Sequence, residues 1–311
     1  MRTPVTVVGG YLGAGKTTLV NHLLRNAHGL RIAILVNDFG TLPIDADLIE
    51  AQSEDLISIA GGCVCCSFGS DLMGALMTLA QRAPAPDHVL IETSGVAMPG
   101  IVARSAALLP ALSIDSVVVL ADAQSVRARA SDRYMGDTIT RQLAEADLVV
   151  LNKADLVDRG ALPALRDWIR QQAPRAAVIV AEHSRVSLDA MLGLARRSPA
   201  PQKAFTSGFL EPPADAASTY ESVSLTPMQP LDVDALARAL ASPACGLIRA
   251  KGVLRDVDGT LKTLHLAGPR CEVSPSPSRF TKSTGLACIG VRGVLDRYAI
   301  DRALAHSTTL P

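Results

Sequence analysis

The sequence has no excess of charge of either sign, because 30 Lys and Arg residues balance 30 Asp and Glu residues in a chain of 311. This balance excludes the basic surface that sequence-independent nucleic-acid binding requires, and the acidic field that would attract a basic partner. We therefore expect small ligands and no nucleic-acid partner.

Long apolar runs are also missing. The chain has no unbroken apolar stretch of about 18 residues, so a membrane span is not expected. The apolar run near the N-terminus is too short for a secretory signal, and a phosphate-binding pattern begins inside it. These absences indicate a cytoplasmic protein. In that reducing compartment the six cysteines are not expected to form structural disulfides.

What the sequence does have is apolar surface to bury, since 48% of its residues are hydrophobic. Near-continuous apolar segments alternate with helical ones, which is typical of a parallel sheet covered on both faces by helices. Strands are predicted at 3–9, 31–37, 55–60, 88–93, 116–122, 147–153 and 176–181, and helices after the first strand and near 70–82, 98–109, 135–145, 158–172 and 187–196.

The alternation stops at residues 198–218, which are rich in proline, alanine and small polar residues and are typical of a linker. Beyond it the pattern predicts a small α+β domain with a mainly antiparallel sheet. Its elements are a strand from Tyr220, a helix near 231–242, a strand pair around Asp258-Gly259, a strand at 286–293 and a helix at 296–305. The predicted domains are 1–197 and 219–311.

A phosphate-binding loop is predicted at GYLGAGKT, Gly10 to Thr17, which fits G-x-x-x-x-G-K-[ST] between a strand and a helix. Its glycines let backbone N–H groups turn inward around phosphates, Lys16 can reach the β- and γ-phosphates, and Thr17 offers a hydroxyl to Mg²⁺. The alternative is a glycine-rich turn with a surface lysine. The strand-helix context favours an α/β P-loop NTPase fold with Gly10, Gly13, Ala14, Gly15, Lys16, Thr17 and Thr18 at the nucleotide.

A guanine-binding motif is predicted at NKAD, residues 152–155, which ends a strand of the same sheet. The Asp155 carboxylate can accept the N1–H and N2–H₂ groups of guanine as a bidentate pair. Asn152 can address the other edge of the base, and the Lys153 stem can lie over the ring. The alternative is that Asp155 caps the helix that follows.

Carboxylates for the chemistry follow two other strands. Glu92, at the end of 88–93, has the place of the acid that lies near Mg²⁺ in P-loop proteins, although an ordinary strand-end acid is the alternative. Asp38 and Asp45 lie on a loop after the second strand that could sense the γ-phosphate. The predicted catalytic residues are Lys16, Glu92 and Asp38.

Three cysteines, Cys63, Cys65 and Cys66, lie in the glycine-flanked sequence GGCVCCS. Three thiolates and a fourth ligand would make a tetrahedral site for Zn²⁺, and soft sulfur excludes Mg²⁺ and Ca²⁺. The alternatives are a Cys63–Cys66 redox pair and small buried side chains. The scattered Cys245, Cys271 and Cys288 are predicted to be small buried side chains.

Taken together and in order, GGYLGAGKTTLVNHLL, VNDFG…ID, GGCVCCS, LIETSG and NKAD resemble the CobW-type GTPases, relatives of the urease and hydrogenase metal-insertion GTPases. LIRAKGVL and ACIGVRGVLDRYAIDRAL resemble that family's C-terminal domain. The resemblance implies a slow GTPase that acts as a metallochaperone for Zn²⁺ or Co²⁺. It assigns the phosphate and Mg²⁺ sites to Lys16, Thr17 and Glu92, the guanine site to Asn152 and Asp155, and the metal site to Cys63, Cys65 and Cys66.

Two departures from the family pattern stand out. Asp38 and Thr41 replace the two glutamates of the family's Asn-Glu-Phe-Gly-Glu, so a carboxylate is kept at the first position and lost at the second. The six histidines form no cluster, which argues against metal storage.

Three functions follow as hypotheses. In the first, GTP or GDP sets the conformation of the cysteine loop, so that metal is held in one state and delivered to a client metalloprotein in the other. In the second, the chain is a GTP-dependent activator or assembly factor of a metalloenzyme, as in the similar nitrile hydratase activators, and its zinc is only structural. The third is an ATP-using small-molecule kinase. A homodimer is an alternative to the monomer.

Overall fold

The computed structural model describes residues 2–26, 30–37, 56–59, 68–192, 220–276 and 284–308. The chain divides into two compact units, Met1–Val186 and Ser187–Pro311. Three predicted segments lie outside the described residues. They are the linker 198–218, the cysteine loop GGCVCCS with Cys63, Cys65 and Cys66, and the loop after the second strand with Asp38, Thr41 and Asp45, which we call the first switch loop. In the described part of the chain, no helix has both the length and the apolar character needed to cross a bilayer.

The first unit contains a parallel sheet of seven strands, as the continuous apolar runs predict. Its order is β3-β2-β4-β1-β5-β6-β7, and every neighbouring pair is parallel. The strands are β1 (Thr3–Gly10), β2 (Ile32–Asn37), β3 (Leu56–Ile59), β4 (His88–Glu92), β5 (Leu112–Asp122), β6 (Leu148–Asn152) and β7 (Ala177–Val180).

Six helices of this unit are described: α1 (Lys16–Asn26), α2 (Phe68–Gln81), α3 (Pro99–Ala107), α4 (Val126–Ala130), α5 (Gly136–Ala144) and α6 (Leu162–Gln172). Helix α6 was predicted from 158 but begins at Leu162, because Pro163 fits the first turn of a helix, where no N–H is needed. Helix α4 was not predicted, since five residues are too short to show a helical period.

The order of the strands explains why helices cover both faces. The chain moves in one direction from β1 to β2, and in the other from β3 through β4 to β7. Right-handed crossovers therefore place α1 on one face and α2, α3, α5 and α6 on the other. One apolar cluster contains residues of these four helices together with alternate residues of the strands, such as Val5 and Val7. The α/β P-loop fold is confirmed.

This reversal opens a crevice at the carboxyl end of β1, where open parallel sheets bind ligands. The predicted phosphate-binding loop follows β1 directly and so lies at the crevice. Glu92 and Asn152, the last residues of β4 and β6, lie at the same edge of the sheet.

Strand β5 begins four residues before the predicted strand, because polar residues interrupt its apolar pattern. Asp115 is only 1% exposed and accepts a hydrogen bond from the Thr6 hydroxyl at 3.1 Å. Thr6 Oγ1 also lies 2.9 Å from His88 Nε2. These contacts with β1 and β4 give one Asp115 oxygen and the Thr6 hydroxyl hydrogen-bond partners, which lets the strand continue through the buried acid.

The second unit is a five-stranded antiparallel sheet with helices, so the predicted smaller α+β domain is confirmed. The strand order is β11-β10-β9-β12-β8. Its elements are α7 (Leu188–Leu192), β8 (Tyr220–Leu225), α8 (Val233–Leu240), β9 (Leu247–Arg255), β10 (Leu261–Ala267), β11 (Arg270–Pro275), β12 (Gly285–Val291) and α9 (Arg297–Thr308). The predicted hairpin joins β9 to β10, with Gly259 at φ 81° in the turn. Strand β11 was not predicted.

Helix α7, which the sequence groups with the first domain, belongs by its contacts to the second unit. The Arg249 guanidinium in β9 is fully buried and donates to the carbonyl of Met191 at 2.9 Å. Because the last carbonyls of a helix have no partner within it, a buried arginine satisfies one and neutralises the negative end of the helix dipole.

An acid-sensitive ion pair stabilises the second unit. Lys262 Nζ lies 2.8 Å from the 5%-exposed Asp256. Burial opposes the Asp256 charge, but hydrogen bonds from Lys262 and from the Val233 N–H outweigh it and lower the pKa of this carboxyl. Since the folded-state pKa lies below the unfolded one, the stabilisation is present above the unfolded pKa and is lost as pH falls through the folded pKa.

We therefore expect Lys262→Met to lower the melting temperature of the full chain at neutral pH and to weaken its fall on acidification below about pH 4. Thermal unfolding over a pH series measures this. Arg297→Met is the control, because its ion pair with Asp301 is exposed and contributes little. Equal melting of Lys262→Met and wild type at neutral pH would contradict the prediction.

Candidate nucleotide site

The loop after β1 has the backbone that close approach to a phosphate requires. Gly10 and Gly15 have φ values of 127° and 101°, which side-chain-bearing residues rarely adopt. A Cβ atom on Gly15 would lie 2.5 Å from Asn152 Nδ2. Helix α1 begins at Lys16, so its N-terminal N–H groups and positive dipole end point into the loop. The arrangement fits an anionic ligand.

Lys16 and Thr17 lie at the base of this loop. The Lys16 side chain is largely buried, with Nζ 3.3 Å from the carbonyl oxygen of Tyr11. The Thr17 hydroxyl donates to Glu92 Oε1 at 2.8 Å, and Glu92 is only 2% exposed. A buried carboxylate beside a hydroxyl at an anion-binding loop supplies two hard oxygen ligands, which fits Mg²⁺.

Asn152 ties the predicted guanine motif to the phosphate-binding loop. Its Nδ2 donates to the Ala14 carbonyl at 2.9 Å and to Ser184 Oγ at 2.8 Å, and its Oδ1 accepts the Ser184 N–H at 2.7 Å. Ser184 Oγ in turn donates to the Gly15 carbonyl at 3.1 Å. The Asn152 amide therefore fixes the loops relative to one another, whereas its contact with a base stays a prediction.

Ser184 is a site residue that sequence reasoning missed. It is fully buried and, like the preceding His183, has a left-handed backbone, with φ values of 57° and 50°. Strained residues of this kind persist where the surrounding contacts hold them, often in functional sites. The available signal was a polar segment directly after the apolar strand β7, at the carboxyl edge of the sheet.

Lys153 and Asp155, the two charged residues of the predicted guanine motif, contact Asp122 and His183 respectively. Lys153 has φ 61°, and its ammonium group lies 2.9 Å from Asp122 at the end of β5. Asp155 lies in a short 3₁₀ helix, Ala154–Leu156, with its carboxylate 3.8 Å from His183 Nε2. The alternative prediction of Asp155 as a helix cap is wrong, because α6 has Ala161 at its N-cap.

Gln142 of α5 fixes the loop that follows Glu92. Its side-chain amide is buried and donates to the carbonyls of Gly95 and Ala97 at 3.1 and 2.8 Å. A Cβ atom on Gly95 would overlap the Leu12 side chain, so this loop approaches the phosphate-binding loop closely. No motif marks Gln142 in the sequence, since it lies 45 residues or more from its partners.

Comparison with known proteins agrees with this geometry. Residues 4–192 match the family described as CobW/HypB/UreG, nucleotide-binding domain. The chain belongs to the CobW/HypB/UreG family. Residues 220–308 match the cobalamin synthesis protein cobW C-terminal domain, so the resemblance seen in both parts of the sequence is confirmed.

Individual relatives cover different shares of the chain. The zinc chaperone CobW of Sinorhizobium sp is 34% identical over 222 residues, which are 62% of this chain and 63% of that protein. The zinc chaperone YjiA of Escherichia coli is 28% identical over 277 residues, 85% of each chain. The zinc-regulated GTPase metalloprotein activator 1 of Schizosaccharomyces pombe is 31% identical over 196 residues, 59% of this chain and 46% of that one. The chain thus spans less than two thirds of the first and third relatives.

The described cysteines of this CobW/HypB/UreG member are poorly suited to metal. Cys245, Cys271 and Cys288 have free thiols. Burial raises the pKa of each of them, that of Cys288 to about 12, and the thiolate is the form that binds metal. Within the ranges that the structure describes, no three His, Cys, Asp or Glu side chains converge on a metal site. The predicted site at Cys63, Cys65 and Cys66 lies outside these ranges and stays a prediction.

The Ser184 hydroxyl gives a testable prediction. Ser184→Ala leaves the Gly15 carbonyl and the Asn152 amide each short of one partner, so we expect the free energy of unfolding to fall by about 1–3 kcal/mol and guanine nucleotide affinity by roughly tenfold. Ser184→Gly removes the same hydroxyl but relieves the left-handed backbone, so its stability differs from that of Ser184→Ala, and an equal loss of nucleotide affinity in both variants identifies the hydroxyl as the cause. Chemical denaturation and nucleotide titration measure the two effects.

Ser131→Ala is the matched control, because Ser131 is exposed and its hydroxyl donates only within its own segment, to the Arg127 carbonyl. Nucleotide affinity of wild-type strength in both Ser184 variants would contradict the assignment.

Proposed function

We propose that this protein hydrolyses GTP slowly and is a metallochaperone that binds Zn²⁺ at Cys63, Cys65 and Cys66 and delivers it to a client protein. The observation that carries the proposal is the Thr17–Glu92 pair, 2.8 Å apart, at the loop that Asn152 and Ser184 tie to the guanine motif. Membership of the CobW/HypB/UreG family and the names of the zinc chaperone relatives support it.

The residues divide the work on the phosphates. The inward N–H groups of the loop and the Lys16 ammonium offset negative charge on the β- and γ-phosphates, and the buried setting makes this effect larger than in water. Thr17 and Glu92 are the residues that would hold Mg²⁺, which supplies further charge neutralisation when bound. Asp38 is proposed to act at the γ-phosphate from the first switch loop.

The base is proposed to lie against Lys153 and Asp155. The Asp155 carboxylate, a quarter exposed, is available to accept two guanine N–H groups. Asp122 holds the Lys153 ammonium, so the aliphatic stem of Lys153 is positioned to cover one face of the ring. Adenine lacks this pair of donors, which makes GTP the preferred triphosphate and disfavours the kinase hypothesis.

We propose that zinc binding depends on the nucleotide state, because the cysteines lie in sequence between the two loops that are proposed to contact the γ-phosphate. Zinc content, measured after equilibration with a non-hydrolysable GTP analogue or with GDP, tests this coupling. We expect different zinc stoichiometry in the two states, and equal content would contradict the coupling. Cobalt is the alternative cargo, and competition between the two ions distinguishes them.

An activator of a metalloenzyme is the second candidate, because the fission yeast relative carries that name. In that function the cysteine zinc is structural, and tight, nucleotide-independent zinc with a stable client complex would favour it. The proposal includes a client metalloprotein, and a homodimer as an alternative to the monomer. It also includes the domain limits 1–197 and 219–311. The reducing cytoplasm is the proposed compartment.

A further inference from the structure

We propose that Arg129, on the short helix α4, is a positioning residue. It holds the turn Tyr11–Ala14 of the phosphate-binding loop in the form whose Gly13 N–H is directed at the γ-phosphate. The inference deepens the proposed function and rests on it. Its starting observation is a contact across 117 residues of sequence: Arg129 Nη1 donates to the Leu12 carbonyl at 3.2 Å. The guanidinium also lies over the Tyr11 ring, 5.6 Å from its centroid.

The contact falls on a turn with two available forms. The Ala14 N–H donates to the Tyr11 carbonyl at 3.2 Å, which closes a β-turn with Leu12 and Gly13 at its centre. Gly13 has φ 77°, the value that defines a type II turn at this position. A type I turn closes with the same hydrogen bond but has the central peptide turned over, so the two forms differ mainly in where that peptide points.

Arg129 selects between these forms through the Leu12 carbonyl. The Leu12–Gly13 peptide is trans, so its N–H points away from its carbonyl. With the carbonyl directed at Arg129, the Gly13 N–H is directed to the opposite side of the loop. If the peptide turned over, the carbonyl would replace this donor and would repel a phosphate oxygen.

The position of the turn points to the γ-phosphate. Leu12 packs against Gly95, on the loop that follows Glu92, whereas Lys16 begins α1 at the other end of the phosphate-binding loop. Loops that follow the Mg²⁺-binding acid sense the third phosphate in P-loop GTPases. The Gly13 N–H is therefore expected to contribute more to the binding of GTP than to that of GDP.

A small cavity lies beside the turn. Its volume is about 20 Å³, room for about one water molecule, and its lining includes Tyr11, Leu12, Ala14, Ser125 and Arg129. On this side the Arg129 hydrogen bond holds the Leu12 carbonyl and so sets the direction of the central peptide.

Arg129→Met tests the proposal, because methionine keeps much of the aliphatic stem and removes the donor. We expect GTP affinity to fall about tenfold, GDP affinity to fall less than threefold, and the melting temperature to stay unchanged. Arg129→Lys, which keeps a charged donor, should recover part of the GTP affinity. Fluorescent-nucleotide titration and thermal unfolding of the full chain give these values.

Arg127→Met is the matched control, since Arg127 is exposed on the same helix, and it should bind both nucleotides as wild type does. Wild-type GTP affinity in Arg129→Met would overturn the inference, and so would an equal loss for GTP and GDP, which indicates a merely structural role. Failure of wild type to bind GTP would overturn the proposed function itself and the inference with it.

Discussion

Replacing Asp155 with Asn should lower GTP affinity by about 100-fold and raise affinity for xanthosine triphosphate above that for GTP. The carboxylate offers two acceptors to the N1–H and N2–H₂ of guanine, and an amide in its place presents a donor to one of them. Xanthine has a carbonyl oxygen where guanine has its 2-amino group, so it accepts the amide N–H. The substitution thus exchanges the base preferred.

The surroundings of Asp155 allow its effect on base binding to be separated from an effect on stability. Asp155 lies on a short 3₁₀ turn, and its carboxylate is 3.8 Å from Nε2 of the exposed His183 imidazole. Removal of the charge therefore leaves no buried group unpaired within the protein, and the free energy of unfolding should change by less than about 0.5 kcal/mol.

Competition titrations with GTP, ATP and xanthosine triphosphate measure the exchange. Asp167→Asn provides the charge-matched control, because Asp167 is exposed on α6 and pairs only with Arg170 of the same helix. Undiminished GTP affinity in Asp155→Asn would show that the base is not read at this residue. A preference of the wild type for ATP would favour the kinase hypothesis instead.

Sequence reasoning placed the parallel sheet well because its strands are apolar on both faces. Strand β4 is buried along its whole length, and so is β6, so each is visible as an unbroken apolar run with a polar residue at its end. Those end residues, Glu92 and Asn152, reach the same edge of the sheet because all the strands run in one direction. Both the motifs and their meeting point could therefore be predicted.

Elements without such a pattern were missed or misplaced. Every residue of β11 is partly exposed or exposed, and the strand ends in Pro275, so it carries neither an apolar run nor a clear alternation. The start of β5 was missed for a different reason. Asp115 is an acid in a buried strand, and only the tertiary contact with Thr6 explains its place there.

The parts of the site that could not be predicted act through carbonyl oxygens. Ser184 holds the Gly15 carbonyl, Gln142 that of Gly95, and Arg129 that of Leu12. Every residue has a carbonyl, so such partners leave no mark in a sequence, whereas a phosphate-binding lysine or a guanine-binding acid belongs to a motif. The motifs therefore name the groups proposed to touch the ligand, and the structure adds the groups that orient them.

The second large effect is expected at the cysteine loop. We expect the triple variant Cys63→Ser, Cys65→Ser and Cys66→Ser to lose zinc affinity by about 1,000-fold or more, because hydroxyls do not ionise at neutral pH and bind zinc far more weakly than thiolates. Measured without zinc in either protein, GTP affinity should stay within about twofold of wild type, since the residues that position the phosphate-binding loop are all unchanged. Loss of zinc with retention of nucleotide separates a metal site from a folding defect.

The matched control is Cys271→Ser, which changes a thiol whose pKa is raised by burial and leaves the three loop cysteines intact. This variant should keep the zinc content of wild type, because a protonated thiol contributes no metal ligand. Zinc titration against a chromophoric chelator, run with GTP analogue and with GDP, measures affinity in both states. Wild-type zinc affinity in the triple variant would place the metal elsewhere. If wild type bound zinc equally with GTP analogue and with GDP, and the triple variant lost the same affinity with both, the cysteines would bind zinc without the coupling that delivery requires.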